Sequence, residues 1–420
     1  MLDDVWIEDY TNWVSFRNVL KCGAQGSRII VTTHKSSVAG MMESSYIINL
    51  GELSLDDCWL VFSKIAFSNI DLHQCRDLEE LGRQLAKMCK GLPLAAKSLG
   101  SHMCGKRSKE EWEIVLHSSL WELEDIEKGL LGPLLLSYYE LSPAEKQCFL
   151  FCAVFPKDHK FDRLELVIHW MAQGYIESKA KKEMEVIVEN YFENLNIRSL
   201  FQDFEKDNKD GRIVSCKMHD IVHDFAESMP KDVCLTINCD DKVEKNFKRV
   251  RHLSLKVKET FLELVYEEKN LRFLNLSLLS SSKTIQPKLF NHLRCLRILH
   301  LKGESILKLP NEMEKLIHLR YLKLYCNDLK ELPKSICNLC NLQSLDVTEC
   351  RELEKLPQAM GKLINLRHLL LCIVDIKMKS FPKGIGGLTF LRTLSYFHVG
   401  VGGKGEEICK LGELEHLDHI

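Results

Sequence analysis

Two adjacent carboxylates, Asp3 and Asp4, stand near the start of the chain, directly after an apolar Met-Leu pair. The segment from Met1 to Trp6 has the pattern of a buried strand that ends in acidic side chains. Carboxylates just past the carboxyl end of a parallel strand are where α/β proteins hold Mg²⁺ and activate water. This pair is therefore the first candidate for chemistry in the sequence.

Two histidines, His219 and His223, are four residues apart at the start of a predicted helix, a spacing that zinc proteases use. Asp220 replaces the Glu of those enzymes. A catalytic zinc site also needs a third protein ligand and an open position, and no downstream ligand occurs at a recognised spacing. The pair alone does not predict a metal site.

Two further motifs match only in part. Residues 100–106 read Gly-x-x-x-x-Gly-Lys, but Arg107 follows where a phosphate-binding loop has Ser or Thr, and the match follows a helical pattern instead of a strand. Cys337 and Cys340 form a single Cys-x-x-Cys, whereas a zinc site of that type needs a second pair. We interpret both motifs as structural.

The composition indicates an ordinary globular chain of two to four domains, with 420 residues, 45% apolar and 28% charged. No run of about 18 apolar residues predicts a membrane span, and the first ten residues hold four acids in place of a basic and apolar leader. Its 17 cysteines are scattered and fit reduced thiols. These features predict a cytoplasmic protein, with the nucleus and the plasma-membrane surface left open as alternatives.

A Leu-x-x-Leu-x-Leu phrase organises the last two-fifths of the chain. Leucines two residues apart share one face of a strand, and a phrase that returns with this period is the signature of a leucine-rich repeat solenoid. An irregular helical domain, the alternative, does not explain six near-copies in register. The phrases are 23 to 25 residues apart and begin at Leu271, Leu296, Leu319, Leu342, Leu366 and Leu391.

Side chains between those leucines should point away from the core, onto the concave face of the solenoid. Exposed aromatic and cationic side chains are typical of protein contacts, although ordinary solvated surface is the alternative. The predicted partner-binding residues are Phe273, His300, Lys302, Tyr321, Lys323, Tyr325 and His368.

Ahead of the repeats, the apolar runs 26–33 and 46–50 predict strands of a parallel sheet with helices between them. Helical patterns follow from residue 54. Residues 134–229 predict a winged helix, with helices that include 163–173 and 187–201 before a β-like stretch at 212–218. The winged-helix segment carries a net charge of −5, which argues against DNA binding because that needs Lys and Arg to neutralise phosphates.

Charge is divided unevenly along the chain. Residues 1–235 hold 27 Lys and Arg against 37 Asp and Glu, a net −10, whereas residues 236–420 hold 30 against 22, a net +8. Complementary fields steer and orient docking. We therefore expect an intramolecular contact between the repeats and the front half.

Five segments follow one another in the chain: Leu2 to Trp6, Gly26 to Thr33, Gly91 to Leu94, Cys148 to Pro156 and Met218 to Asp220. In that order they resemble the Walker B, sensor 1, GLPL, winged-helix and MHD motifs of the plant nucleotide-binding leucine-rich repeat immune receptors of the coiled-coil type, the NB-ARC family. With the repeats, the resemblance covers essentially the whole chain.

The resemblance implies a switch in which ADP holds the receptor closed and exchange for ATP opens it and permits oligomerisation. Asp3 and Asp4 would serve Mg²⁺ and the attacking water, with Asp3 as the metal ligand. The nucleotide-binding residues would be Thr33, Gly91, Leu92, Pro93 and His219, with Pro93 against the adenine and His219 on the β-phosphate of ADP.

The chain also departs from the family pattern. The family's coiled coil, first strand and phosphate-binding loop would precede residue 1, and the sensor strand ends in Thr32-Thr33-His34 where Thr-Thr-Arg is usual. Without the loop's backbone cradle and lysine, we expect binding of ADP or ATP with Mg²⁺ to be weak or absent in this polypeptide.

The expected fold is multidomain α/β plus α. It comprises a partial P-loop-type parallel sheet (1–52), a helical domain (53–130), a winged helix (131–235) and leucine-rich repeats (236–420). The expected function is immune recognition of a pathogen effector or a guarded host protein, without metabolic catalysis. A stand-alone interaction scaffold or decoy is the alternative, and a winged-helix transcription regulator is a third hypothesis.

Overall fold

The computed structural model describes residues 1–3, 5, 10–20, 22–24, 26–68, 72–118, 121, 131–176, 184–229, 234–238, 250–257, 265, 268–279, 283–372, 377 and 382–395. Asp4 lies outside them. The chain forms two compact units, Met1–Ser54 and Leu55–Ile420. No helix in the described ranges combines the length and apolar character that a membrane crossing requires.

The first unit pairs the segment around Leu2 with the segment around Val31. Leu2 N–H donates to Ile30 O over 2.8 Å and Thr32 N–H donates to Leu2 O over 2.9 Å, in a parallel bridge. Helices α1 (Tyr10–Leu20) and α2 (Ser36–Met41) contribute Trp13 and Val38 to a small core. The predicted parallel pairing of these two segments is present.

The predicted strand at residues 46–50 is not formed. Tyr46, Ile48 and Leu50 are exposed, and no described residue pairs with this segment. A strand needs a neighbour for its N–H and C=O groups, so apolar composition alone did not make one here.

The second unit begins with four helices: α3 (Leu55–Ala66), α4 (Leu72–Met88), α5 (Pro93–Met103) and α6 (Lys109–Leu116). Phe62 and Trp112 are buried between them, with ring centroids 6.1 Å apart. Ser108 begins α6 with a reciprocal capping box to Glu111, which satisfies two backbone donors at the helix start.

The next segment is the predicted winged helix. Its three strands pair antiparallel in the order β1-β3-β2. The predicted helix 187–201 ends earlier, at Ile197, because Ser199 adopts a left-handed backbone (φ 57°). The elements are α7 (Leu131–Tyr139), α8 (Pro143–Cys152), β1 (Phe161–Asp162), α9 (Arg163–Gln173), α10 (Met184–Ile197), β2 (Gln202–Lys206), β3 (Ile213–Lys217) and α11 (Asp220–Ser228).

In the part of the chain that the structure describes, the repeats form one parallel sheet of eight strands in chain order. Leucines such as Leu322 and Leu324 are fully buried in one continuous core, so the predicted solenoid is confirmed. The elements are β4 (Cys234–Asn238), β5 (His252–Val257), β6 (Phe273–Leu278), α12 (Lys288–His292), β7 (Ile298–Lys302), β8 (Tyr321–Tyr325), β9 (Ser344–Val347), β10 (His368–Leu371) and β11 (Thr393–Leu394), with 3₁₀ turns at Asn311–Lys315, Lys334–Asn338, Met360–Lys362 and Lys383–Gly387.

Candidate functional site

Asp3 and Thr33 lie at the same ends of the two paired segments in the first unit. Thr32 donates its hydroxyl to the Asp3 carboxylate, and the Thr33 hydroxyl donates to Val5 O over 2.7 Å. The Thr33 oxygen also accepts from Lys35 N–H over 3.1 Å. The two predicted site residues are thus held in one hydrogen-bonded edge, and Asp3 is exposed to solvent there.

Residues 90–93 form the turn between α4 and α5. Lys90 and Gly91 both have left-handed backbones (φ 48° and 73°), which ends α4, and Pro93 is the first residue of α5. Proline suits that position because its missing N–H would have no helical partner. Gly91 is buried, Leu92 is half-buried and Pro93 is exposed, so the proline ring presents a surface that a planar ligand could contact.

His219 caps the N-terminus of α11. Its Nδ1 accepts a hydrogen bond from Ile221 N–H over 3.2 Å, so the ring proton is on Nε2. That Nε2–H could donate a hydrogen bond to a phosphate oxygen. His223 is buried and its Nε2 pairs with Phe155 O at 2.7 Å. Within the described ranges, His219 belongs to no group of three metal-ligating side chains, whereas His223 lies in one with the exposed Asp224 and Glu227. The predicted His219–His223 pair is thus not brought into one group of ligands.

Helix α7 joins the elements that carry Pro93 and His219. On the side of α5, the hydroxyls of Ser98 and Ser137 are 3.4 Å apart. On the side of α11, the rings of Tyr138 and Phe225 meet edge to face at 5.8 Å. Helix α7 therefore packs against both elements that carry these two predicted nucleotide-binding residues.

Glu140, which follows α7, holds the helical and winged-helix segments together. Its carboxylate pairs with Lys106 at 2.7 Å and with Arg198 at 2.9 Å. Gly100 is inside α5, where an added Cβ would meet Phe62 O at 2.9 Å. The Gly-x-x-x-x-Gly-Lys match therefore forms a helix end and an ion pair, not a phosphate loop.

The concave face of the repeats is the sheet face opposite the leucine core, and the winged helix covers part of it. The prediction that its seven named residues are exposed is wrong for five, because helix α9 and its neighbours pack onto that face. Tyr325 is half-buried and Lys302 is exposed. The five buried residues are Phe273, His300, Tyr321, Lys323 and His368.

An ion-pair group marks the start of α9. Lys323 Nζ lies 2.7 Å from Glu165 Oε1 and 3.4 Å from Asp346 Oδ2. Burial by itself would lower the pKa of Lys323, but the two carboxylates outweigh it and raise that pKa above its usual value. Burial would raise the pKa of Glu165, and the neighbouring His169 and Lys323 lower it instead. The pair is therefore charged at neutral pH.

Aromatic and imidazole rings fill the centre of the contact. His169, on α9, has its ring centroid 4.9 Å from that of His300 and 5.2 Å from that of Tyr321. Phe151, from α8, meets Phe273 at 5.5 Å. Such pairs contribute roughly 0.5–1.5 kcal/mol each beyond area burial, so this packing is a substantial part of the contact.

Arginines meet the end of α9. Gly174 stops the helix with a left-handed backbone (φ 71°), and Arg297 Nη1 donates to Gln173 O. A Cβ on Gly174 would lie 2.6 Å from Arg320 Nη1. Guanidinium groups at a helix C-terminus complement its partial negative charge.

A second ion pair joins α10 to the residue that precedes β10. Arg367 donates from Nε and Nη2 to the two oxygens of Glu185, at 2.5 and 2.6 Å. The Arg367 side chain is 4% exposed and that of Glu185 is 21% exposed. Burial would raise the pKa of Glu185, but the hydrogen bonds and charge of Arg367 lower it. The predicted contact between the acidic front half and the basic repeats is thus present, on the winged helix.

Sequence reasoning missed the residues that make this contact, among them Glu165, His169, Glu185 and Arg367. One available signal was an arginine directly before most repeat strands, at the repeat period. These arginines are Arg251, Arg272, Arg297, Arg320, Arg367 and Arg392.

Three sequence-family models match the chain in order. They are the NB-ARC domain at residues 1–72, the disease resistance protein winged helix domain at 154–226 and the leucine-rich repeat region at 276–420. The predicted order of nucleotide-binding segment, winged helix and repeats is confirmed.

Several curated plant disease resistance proteins are similar to this chain over most of its length. Disease resistance protein RGA2 of Solanum bulbocastanum is 37% identical over 417 residues, which cover 99% of this chain and 40% of that protein. Putative disease resistance protein RGA4 of the same plant is 36% identical, over 100% of this chain and 39% of its own length. Putative disease resistance RPP13-like protein 1 of Arabidopsis thaliana is 35% identical, over 82% of this chain and 33% of its own length.

The chain spans about a quarter to a half of the length of these and other curated relatives. Among solved structures, the leucine-rich repeat domain of the type III effector XCV3220 (XopL) matches at 15% identity with a TM-score of 0.26, over 57% of this chain and 89% of that chain. That score is too low to carry an argument. The three ordered domains and the near-complete alignments show that the chain belongs to the plant NB-ARC leucine-rich repeat disease resistance proteins.

Proposed function

We propose that this chain acts in an intracellular immune receptor of the plant type, in which the winged helix keeps the recognition face of the repeats covered. The observation that carries the proposal is the burial of Phe273, His300, Tyr321 and Lys323 beneath α9. A protein partner cannot reach these side chains until α9 leaves. Recognition and opening are therefore coupled, because a ligand shifts a two-state equilibrium by its differential affinity for the two states.

The partner class is a protein, either a pathogen effector or a guarded host protein. Aromatic and cationic side chains in a desolvated patch are the residue types that dominate protein contacts. Homo-oligomerisation would follow opening. The winged helix carries a net −5, which supports a protein partner over DNA.

In a receptor that contains a complete phosphate-binding loop, nucleotide is the proposed control of opening, without a metabolic reaction. Pro93 at the start of α5 and the Nε2–H of His219 at the start of α11 offer an aliphatic surface and a phosphate donor, and both helices pack on α7. Asp3 would serve Mg²⁺. The 420 residues contain no complete Gly-x-x-x-x-Gly-Lys-Ser/Thr phosphate loop, so we expect ADP and ATP to bind this polypeptide weakly or not at all.

Charge reversal with rescue tests the covered-face proposal. Arg367→Glu places a carboxylate against Glu185 and should open the contact, raising defence-associated cell death when the chain is expressed in leaves. Glu185→Arg combined with Arg367→Glu restores an opposite pair and should return the response to the starting level. Lys355→Glu, at the exposed pair with Glu331, is the matched control.

Equal responses from the starting chain, the single reversal and the double swap, at equal protein levels, would count against a covered recognition face. That outcome would favour the scaffold or decoy alternative, in which the repeats bind a partner without release of the winged helix.

A further inference from the structure

The two imidazoles at the centre of the contact between the winged helix and the repeats are placed as metal ligands are placed. His169 Nε2 and His300 Nε2 are 3.1 Å apart, although the residues are 131 positions apart in the chain. Both side chains are buried, 2% and 4% exposed. The Glu165 carboxylate, one helical turn before His169, completes a group whose ligand atoms all lie within 4.8 Å of one another.

A backbone contact fixes the tautomer of His169. Its Nδ1 lies 2.6 Å from Glu165 O, and because a carbonyl only accepts, Nδ1 carries the proton. The lone pair is therefore on Nε2, which faces His300. Metal-ligating histidines are commonly oriented in this way, with the second ring nitrogen donating to a carbonyl or carboxylate.

We propose that Glu165, His169 and His300 bind a divalent transition metal of the zinc class and so join helix α9 to strand β7. Two imidazole nitrogens and a carboxylate oxygen are ligands that Zn²⁺ accepts, with ligand distances of about 2.0–2.2 Å. The fourth position is left for water or the second oxygen of Glu165. Without metal the two Nε2 atoms share a hydrogen bond over 3.1 Å. An ion between them would replace that bond, with the proton of His300 held on Nδ1, and the Glu165 carboxylate lies within 4.8 Å as the third ligand.

The electrostatics of the surroundings are compatible with a cation. Burial lowers the pKa of His169 to about 4, against a smaller opposing effect of Glu165. Burial, aided by His169 and Lys323, also lowers the pKa of His300 well below its usual value. Both rings are therefore neutral at pH 7, the form that binds metal. Lys323 competes for Glu165 at 2.7 Å, but Asp346 lies 3.4 Å from the same ammonium group and offers it a second partner.

The inference does not depend on the receptor function. Its consequence is a link between two domains that forms only when they are docked, since one ligand lies on β7 and the other two lie on α9. Metal binding would then favour the covered arrangement of the repeats, because a ligand that binds one state stabilises that state.

Cobalt titration of the whole chain tests the site. The protein is treated with a chelator, its accessible thiols are blocked and Co²⁺ is added while visible absorption is recorded. We expect one equivalent to bind with the ligand-field bands of nitrogen and oxygen ligands, without thiolate-to-cobalt charge transfer. Zn²⁺ should displace it and raise the thermal unfolding midpoint.

Variants on both domains keep the test decisive. Glu165→Gln on α9 and His300→Gln on β7 each remove one ligand. Each should lower the affinity for Co²⁺ by more than the ~10–100-fold that is typical when a residue hydrogen-bonded to a ligand is changed. The exposed His318→Gln should leave the titration unchanged. Circular dichroism before metal addition identifies any variant that fails to fold.

Absence of a saturable site in the starting protein would overturn the proposal. It would also be overturned if Co²⁺ binds with thiolate charge transfer, or if a folded Glu165→Gln or His300→Gln chain binds Co²⁺ as tightly as the starting protein does.

Discussion

At the scale of single residues, three buried neutral histidines make the stability of the fold depend on pH. Burial lowers the pKa of His252 to about 3, aided by Arg272 and Arg251. Burial lowers the pKa of His102 to about 4 despite the nearby Glu140. His169, whose pKa is also about 4, lies at the centre of the contact. Each of these side chains is neutral when folded and gains a proton on unfolding in mildly acidic solution.

The sign of the pH dependence follows from those values. Between pH 6.5, the ordinary value for His, and the folded values, the unfolded chain binds more protons, so the free energy of unfolding falls as pH falls. Each such histidine contributes up to about 1.4 kcal/mol per pH unit. The contribution is complete above pH 6.5 and is lost progressively below it.

His252→Phe should remove one of these contributions. Phenylalanine fits the site because His252 packs edge to face on Phe151 at 5.5 Å and its buried Nδ1 has no hydrogen-bond partner among the described residues. The free energy of unfolding, measured by urea titration at several pH values between 6.5 and 5, should change less steeply with pH, by about 1 kcal/mol per pH unit. The exposed His318→Phe should leave the pH dependence of the unfolding free energy unchanged. An unchanged pH dependence in His252→Phe would refute the contribution of His252.

At the scale of elements, helix α9 determines how the winged helix meets the repeats. It begins at Asp162, whose carboxylate accepts from Glu165 N–H over 2.9 Å, and it ends at Gly174 in a left-handed backbone. The first turn faces Lys323 and the last faces Arg297. Both ends of one helix are therefore fixed by cations from the repeat sheet.

Gly174→Ala separates backbone strain from contact with the arginines. Left-handed backbone costs an L-residue about 1–2 kcal/mol, and here the added Cβ would also lie 2.6 Å from Arg320 Nη1. Gly211 has the same φ of 71°, and an added Cβ there would meet no atom of the described chain within 4 Å, so Gly211→Ala reports the backbone cost alone. The contacting atoms are the ends of flexible arginine side chains, which can shift at little cost. We therefore expect Gly174→Ala to lower the urea midpoint about as much as Gly211→Ala, and a clearly larger loss at Gly174 would show that Arg320 is held rigidly against this turn.

Local patterns predicted most elements but not how they meet. The predicted bounds 163–173 match α9, since the capping Asp162, the continuous helical pattern and Gly174 all act within the segment. The strand at 46–50 was predicted wrongly because pairing depends on a neighbour. The contact between His169 and His300 could not be predicted, because the residues are 131 positions apart and no local pattern indicates which repeat a helix will contact.

At the scale of the whole molecule, the opposite net charges of the two halves are expressed as ion pairs where the winged helix meets the repeats. The net −10 of residues 1–235 and the net +8 of residues 236–420 meet as Glu165 with Lys323 and as Glu185 with Arg367. The sum of charges predicted attraction between the halves. It could not identify the participants, because the paired residues are 158 and 182 positions apart.

Association of separately produced fragments tests the central claim, that the winged helix binds the concave face of the repeats. Residues 1–230 and 234–420 would be mixed and their affinity measured by calorimetry at low and high salt. We predict that the fragments bind and that their affinity falls as salt rises, because salt screens the partly exposed ion pairs. Arg367→Glu should lower the affinity further. Lack of binding at low salt between folded fragments, or affinity indifferent to both salt and Arg367→Glu, would contradict the account.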